Sequence, residues 1–116
     1  MSVEMRPAQA LRLLHDFSLA LVRDQEPDLS PRQMAVLLTI YLDPSPHTVR
    51  GLAAKLDVTK PVITRALDTL GKLELVSRRR DDADRRNMVI QRTARGAEAA
   101  ERLGELLAAK ARELAA

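Results

Sequence analysis

Five stretches of this chain repeat apolar residues at helical spacing, and one alternates them. From Pro7 to about Asp24, Leu11, Leu14, Ser18, Leu21 and Val22 share a stripe, which predicts an amphipathic helix that DQEPDL ends. Ser30-Pro31-Arg32-Gln33 then reads as a helix start: Ser30 can cap, Pro31 suits the first turn, and Gln33 completes a capping box. The helix it opens carries Met34, Leu37, Leu38 and Tyr41 on one face and stops before DPSPH. Thr48 can cap a short helix containing Leu52, Ala53 and Leu56. Asp57-Val58-Thr59 makes a turn, and Thr59 caps the next helix, with Pro61 in its first turn and Ile63, Ala66, Leu67, Leu70 and Leu73 on its apolar face. A last, Ala-rich helix, capped by Thr93, carries Ala100, Leu103, Leu106, Leu107 and Leu114.

The alternation lies between the fourth and fifth helices. Leu75 to Arg80 and Asn87 to Thr93 predict two strands, and in the second Met88 and Ile90 point to one face, Val89 and Gln91 to the other. DDADRR joins them, so the pair is a β-hairpin. Two short helices joined by a short turn suggest a helix-turn-helix, and a hairpin placed directly after one makes a winged helix. The expected fold is mainly α with a small β-hairpin, of the α+β class. It is a single winged-helix domain over residues 1–116, with an N-terminal helix at 7–24, the winged helix-turn-helix at 30–92 and a C-terminal helix at 94–116.

Composition narrows what such a fold can do. The 116 residues suffice for one modest core. There is no Cys, which excludes disulfides, thiolate metal sites and cysteine redox sensing. MSVEMRPAQA lacks the apolar core of a signal peptide and no stretch could span a bilayer, so a cytoplasmic location is expected. Net charge is only +3, but Ser77 to Arg95 holds seven arginines against three aspartates, while the remainder holds 12 basic and 13 acidic residues. The whole positive excess therefore lies in the predicted hairpin and its flanks, as in an electrostatic footprint for nucleic acid. The plain alternative is a solvated charged loop.

Several segments, read together, resemble the MarR family of bacterial winged-helix transcription regulators. LSPRQMAVL resembles the family's second helix, TVRGLAAKLDVTKPVITRALDTL its helix-turn-helix, and LVSRRRDDADRRNMVI its wing, with an Arg, then Asp, then Asp-Arg-Arg. TARG at Thr93 to Gly96 resembles the Thr and Gly that open the next helix, so the likeness runs from about Leu29 to Gly96. Three departures stand out. Glu74 occupies the place of a Gly after the recognition helix, where a left-handed residue other than Gly costs about 1 kcal/mol, which argues for a turn built differently. Arg92 replaces a Leu on the strand face of Met88 and Ile90, and is either paired, snorkelling or at a frayed strand end. Both terminal segments are short for the family.

The resemblance implies that the helix opened by Thr59 enters the major groove of double-stranded DNA while the wing arginine reaches the minor groove. The candidate DNA contacts are Thr59, Lys60, Pro61, Thr64 and Arg65 on the helix, and Arg78, Arg80, Asp84, Arg85 and Arg86 on the wing. Arg65 has the fork that binds guanine bidentately. The wing acids have a purpose in this reading: Asp84 accepts hydrogen bonds from turn amides or pairs with a neighbouring arginine, Asp81 braces the strand arginines, and Arg85 or Arg86 is left to reach the groove. By the same resemblance the terminal helices pair two copies across a two-fold axis through Leu11, Leu14, Leu103, Leu106 and Leu107, presenting two recognition helices to a palindromic operator. The alternative is that both helices fold back as core. Many relatives also release DNA on binding a small aromatic effector, for which Phe17 and Tyr41 are the candidate contacts.

Other chemistries find no support. His15 and His47 are far apart in sequence, no spacing suits a metal, a phosphate loop or a nucleophile, and no cofactor or enzymatic activity is expected. Phe17 and Tyr41 alone make a poor stacking platform for single strands. The second function to weigh is a winged helix that binds protein, as an adaptor or antirepressor, which an apolar exposed recognition face would favour.

Overall fold

The computed structural model describes residues 4–24 and 27–115; the break read at Gln25 and Glu26, the first residues Met1 to Val3, and the helix end at Ala116 lie outside them. In order the elements are α1 (Pro7–Arg23), α2 (Pro31–Leu42), β1 (His47–Thr48), α3 (Val49–Leu56), α4 (Lys60–Lys72), β2 (Val76–Arg80), β3 (Met88–Arg92) and α5 (Ala94–Ala115). They divide into two compact units, residues 29–100 and residues 1–28 with 101–116.

The unit of residues 29–100 is a winged helix-turn-helix. At its start the capping box closes as the residue types demand: Ser30 Oγ accepts from Gln33 N at 3.1 Å, and Gln33 Oε1 accepts from Ser30 N at 2.9 Å. Thr48 caps α3 by accepting from Gly51 N at 3.0 Å. The turn into α4 works through Asp57, which takes the left-handed conformation (φ 56°) and lets Val58 N reach back to Ala53 O at 3.0 Å. Thr59 occupies the N-cap position of α4 with extended backbone, but its side chain makes no capping bond.

The hairpin forms from β2 and β3 in the register Val76↔Arg92 to Arg80↔Met88, and β1 adds a third strand, giving the antiparallel order β1-β3-β2. Ile90 lies at the centre of this sheet, opposite both His47 and Arg78, and is buried. The core is continuous: Val36, Leu37 and Ile40 of α2, Leu52 and Ala53 of α3, Ile63, Ala66, Leu67 and Leu70 of α4, and Leu75, Val76 and Ile90 from the wing. The buried face of α2 is rotated from the stripe that its sequence predicts. Met34, Leu38 and Tyr41 are half-buried and Val36 and Ile40 take the interior, because this helix is apolar nearly all round and its periodicity barely distinguishes one face from another.

Two departures from the family pattern resolve here. The turn after α4 keeps the left-handed form: Glu74 has φ 62°, Leu75 N donates to Leu70 O at 2.9 Å and Glu74 N to Gly71 O at 3.0 Å. The conformational cost at Glu74 is borne because Thr93 Oγ1 donates to its carbonyl at 2.7 Å and accepts from Gly96 N at 2.9 Å, tying the turn to the start of α5. Tyr41 reinforces the same junction, for its hydroxyl accepts from Thr93 N at 2.9 Å and lies 2.9 Å from the Leu75 carbonyl. A Cβ at Gly96 would collide with that hydroxyl and that carbonyl, which accounts for the glycine. Arg92 proves to be paired. Its Nε donates to Ile40 O at 2.8 Å and its Nη2 to Asp43 O at 3.0 Å, so the cation caps the C-terminus of α2 and lies over the Tyr41 ring.

The unit of residues 1–28 with 101–116 is two helical segments, α1 and the latter part of α5. None of the described residues of α1 is buried. Leu13, Phe17 and Ala20 are half-buried, whereas Leu11, Leu14, Ser18 and Val22 of the stripe read from the sequence are exposed. On α5, Leu103, Leu106 and Leu114 are half-buried and Leu107 is exposed. An ion pair joins the segments: Arg102 donates through Nε to Asp24 Oδ2 at 2.9 Å and through Nη2 to Oδ1. These hydrogen bonds hold the Asp24 carboxyl below its ordinary value.

Candidate nucleic-acid interface

Helix α4 separates its residues by face. Ile63, Ala66, Leu67 and Leu70 are buried, while Lys60, Pro61, Thr64, Arg65 and Asp68 are exposed on the other side. The side chains of Thr59, Lys60, Thr64 and Arg65 make no hydrogen bond or ion pair to any described residue. Four donor-bearing side chains thus stand free at the N-terminal end of the second helix of a helix-turn-helix, where such motifs meet base edges. Thr59's failure to cap its own helix fits this picture, since its hydroxyl keeps its bonding capacity for a partner outside the protein.

The wing answers the question its sequence poses, why acids interrupt the densest basic run. Asp81 N donates to Asn87 O at 2.9 Å, and Asn87 N to Asp84 O at 2.9 Å, closing the loop. Asp84 Oδ1 accepts from Arg86 N at 3.1 Å and from Arg86 Nε at 3.3 Å, so it both turns the backbone and holds Arg86. Asp81 does not brace the strand arginines: its carboxylate accepts from Ala83 N at 3.0 Å, because a short acid two residues before a free amide closes an Asx turn. Bracing comes from elsewhere. Arg79 pairs with Asp82 at 3.7 Å, Arg78 with Asp68 of α4 at 2.9 Å, and Arg80 Nη1 donates to the carbonyl of Arg85 at 2.7 Å. The backbone of Arg85 is therefore clamped while its side chain has no partner among the described residues.

This sorts the cations of the unit by use. Residues 29–100 carry thirteen Lys and Arg against eight Asp and Glu, whereas the other unit carries six against eight. Arg78, Arg79, Arg80, Arg86, Arg92, Arg95 and Lys55 are held by protein acceptors. Arg32, Arg50, Lys60, Arg65, Lys72 and Arg85 have no acceptor among the described residues. Of the wing residues read as DNA contacts, Arg78, Arg80, Asp84 and Arg86 are thus engaged in shaping the wing, and Arg85 alone projects free. Arg50 was not singled out from the sequence, since one arginine in a short helix carries no signal until the wing is seen beside it.

The remaining sequence-derived candidates belong to neither α4 nor the wing. Phe17 belongs to α1 and Tyr41 to α2, in different units, and Tyr41's hydroxyl is committed to the α5 junction. His47 is buried in β1, its Nε2 donating to Asp43 O at 3.1 Å. Among the described residues no group of three or more His, Cys, Asp or Glu could hold a metal ion, and no helix is long and apolar enough to cross a membrane.

A three-helix core with a helix-turn-helix and a braced, arginine-tipped hairpin defines the winged-helix class of transcription regulators. Within that class the chain belongs to the MarR family, which it matches over residues 29–88, more than half its length. Among solved structures it is similar to the transcriptional repressor CouR bound to a 23-mer DNA duplex, at 28% identity and a TM-score of 0.71, covering 91% of this chain and 72% of that one. RV1404 from Mycobacterium tuberculosis shares the fold at 22% identity and a TM-score of 0.77, over 93% of this chain and 73% of that one. So does the transcriptional regulator Tm0710 from Thermotoga maritima, at 23% identity and a TM-score of 0.73, over 90% and 71%. No curated protein matches the chain.

Proposed function

We propose that this protein is a homodimeric, sequence-specific regulator that binds double-stranded DNA with α4 in the major groove and Arg85 of the wing in the minor groove. The observation that carries the reading is the free-donor set: Thr59 at the N-cap of α4, Lys60, Thr64 and Arg65 on it and Arg85 on the wing are exposed and have no side-chain partner among the described residues, on the unit that holds the chain's positive excess. CouR, similar in sequence as well as fold, was solved on a DNA duplex, which supports the same partner here. A protein-binding adaptor would show an apolar recognition face, and the exposed large hydrophobic residues, Leu11, Leu14, Val22, Leu42 and Leu107, all lie off α4 and off the wing.

The roles divide by chemistry. Arg65 reads a base, with its fork bidentate to guanine; Thr59, Lys60 and Thr64 set the helix against phosphates and base edges. Arg85, its backbone clamped by Arg80, inserts into a narrow groove, where the negative potential of A·T-rich DNA is strongest. Two copies joined by their terminal helices place the recognition helices about 34 Å apart, one helical turn of about 10 bp. A small aromatic effector is a further proposed partner.

Equilibrium titration of labelled duplexes tests it. Arg65→Ala should cost about 1–3 kcal/mol of operator binding and relax discrimination at one base pair per half-site. Arg85→Ala should weaken binding more than Arg86→Ala, because Arg86 is occupied by Asp84. Wild-type affinity in both wing variants would remove the wing from the interface.

A further inference from the structure

Three cations of the winged-helix unit without a partner among the described residues, Arg32, Arg50 and Lys72, have no place in the reading above, and Arg50 stands beside the wing loop. Arg50 is the second residue of α3, and its side chain lines a cleft of about 320 Å³ together with Thr48, Asp84, Arg86 and Asn87. The sheet creates that cleft. Thr48 of β1 pairs with Val89 of β3 in antiparallel register, so the residues that follow Thr48 run beside those that precede Val89. The start of the helix-turn-helix is thereby brought against the base of the wing.

The chemistry of the lining selects an occupant. Asp84 is the one acid there, and its Oδ1 already accepts from the Arg86 amide and from Arg86 Nε at 3.1 and 3.3 Å. Thr48 Oγ1 accepts from Gly51 N at 3.0 Å. Arg50 has no acceptor among the described residues, so the cleft keeps a net positive charge and a complete, unused guanidinium fork. A monoanionic tetrahedral oxyanion matches both features, and Arg presents paired donors to phosphate oxygens.

We propose that Arg50 binds a backbone phosphodiester of the DNA at the junction between α3 and the wing. This rests on the DNA-binding reading and deepens it. With α4 in one groove and Arg85 in the next, as proposed, the strand between the two grooves would run past that junction. A phosphate held there fixes how far each element enters its groove, which is a positioning role with no sequence information of its own.

The test is a salt series of binding isotherms for wild type, Arg50→Ala, Arg50→Lys and Arg112→Ala, on a random-sequence duplex and on a genomic fragment the protein selects. Arg112 is an exposed cation of the other unit and serves as the general charge control. Arg50 has no partner among the described residues, so its variants should fold like wild type. For Arg50→Ala the slope of log K against log salt should fall by about 0.9, with the same fold-loss on both duplexes. Arg50→Lys should keep the slope while binding more weakly than wild type, because the charge remains and the fork does not. An Arg50→Ala slope and affinity equal to those of Arg112→Ala, with wild type binding normally, would overturn the assignment and leave the wider reading standing. A loss confined to the selected fragment would also overturn it, by making Arg50 a base reader. If wild type bound neither duplex, the DNA-binding reading would fall and this inference with it.

Discussion

The two units of this chain spend their apolar residues differently. The winged helix buries twelve of them in one continuous core drawn from three helices and the sheet, and most of its polar bridges stay inside the unit. The unit of terminal helices buries no residue of α1 at all, and Leu11, Leu14 and Val22 stand 69%, 61% and 80% exposed. A helix whose half-buried side is Leu13, Phe17 and Ala20, yet whose exposed side is Leu11, Leu14 and Val22, has apolar residues on two faces. The contrast teaches that the winged helix supplies its own core while α1 leaves large apolar residues in solvent, and it is on those residues that the proposed pairing of two copies rests.

Breaking the self-sufficient part should have the largest effect. Leu67 is fully buried at the middle of α4, and Leu67→Ala should cost about 2–5 kcal/mol of unfolding free energy in chemical denaturation. The terminal helices should respond in another currency. Leu14→Glu places a charge on an exposed apolar face, so light scattering should show the proposed dimer of the wild type replaced by monomer while circular dichroism still reports a folded winged helix; loss of both signals together would erase the distinction between the units. A smaller change sharpens the comparison from the opposite side. Glu74 is left-handed at φ 62°, so Glu74→Gly should stabilise the winged helix by about 1 kcal/mol, less what the exposed 3.5 Å pair with Arg95 contributes.

The smallest effect concerns Asp24. Its folded pKa is depressed by the hydrogen bonds from Arg102, so its contribution to stability is present above the ordinary value of 3.8 and is lost as pH falls through the lowered folded value. The difference in thermal stability between wild type and Asp24→Asn should therefore hold steady down to that ordinary value and shrink below it. A difference that grew on acidification would contradict the assigned ion pair.

Local chemistry made much of the winged helix legible in advance. The capping box at Ser30 and Gln33, Thr48 as a cap and the alternation of Met88 to Gln91 are short-range signals, and each produced its element. What stayed hidden depends on partners distant in sequence. Nothing near His47 announces a strand, because a two-residue edge forms only once Ile90 and Val89 lie beside it. Asp81 and Asp82 look interchangeable in DDADRR, and only the loop backbone decides that the first turns the chain and the second meets Arg79. The sequence leaves Arg92 three alternatives because the carbonyls it caps, at Ile40 and Asp43, lie some fifty residues upstream. Arg50 carried no pattern at all, and its interest arises wholly from the wing folded next to it.

Selection from randomly sheared DNA of the source genome, sequenced after several rounds at about 0.15 M salt, tests the central claim most directly, because non-specific attraction is weakened there. Enrichment of a palindrome whose half-sites lie about 10 bp apart, one helical turn, is the predicted result. Failure of folded protein to enrich any sequence would contradict a sequence-specific dimeric regulator and favour the protein-binding adaptor.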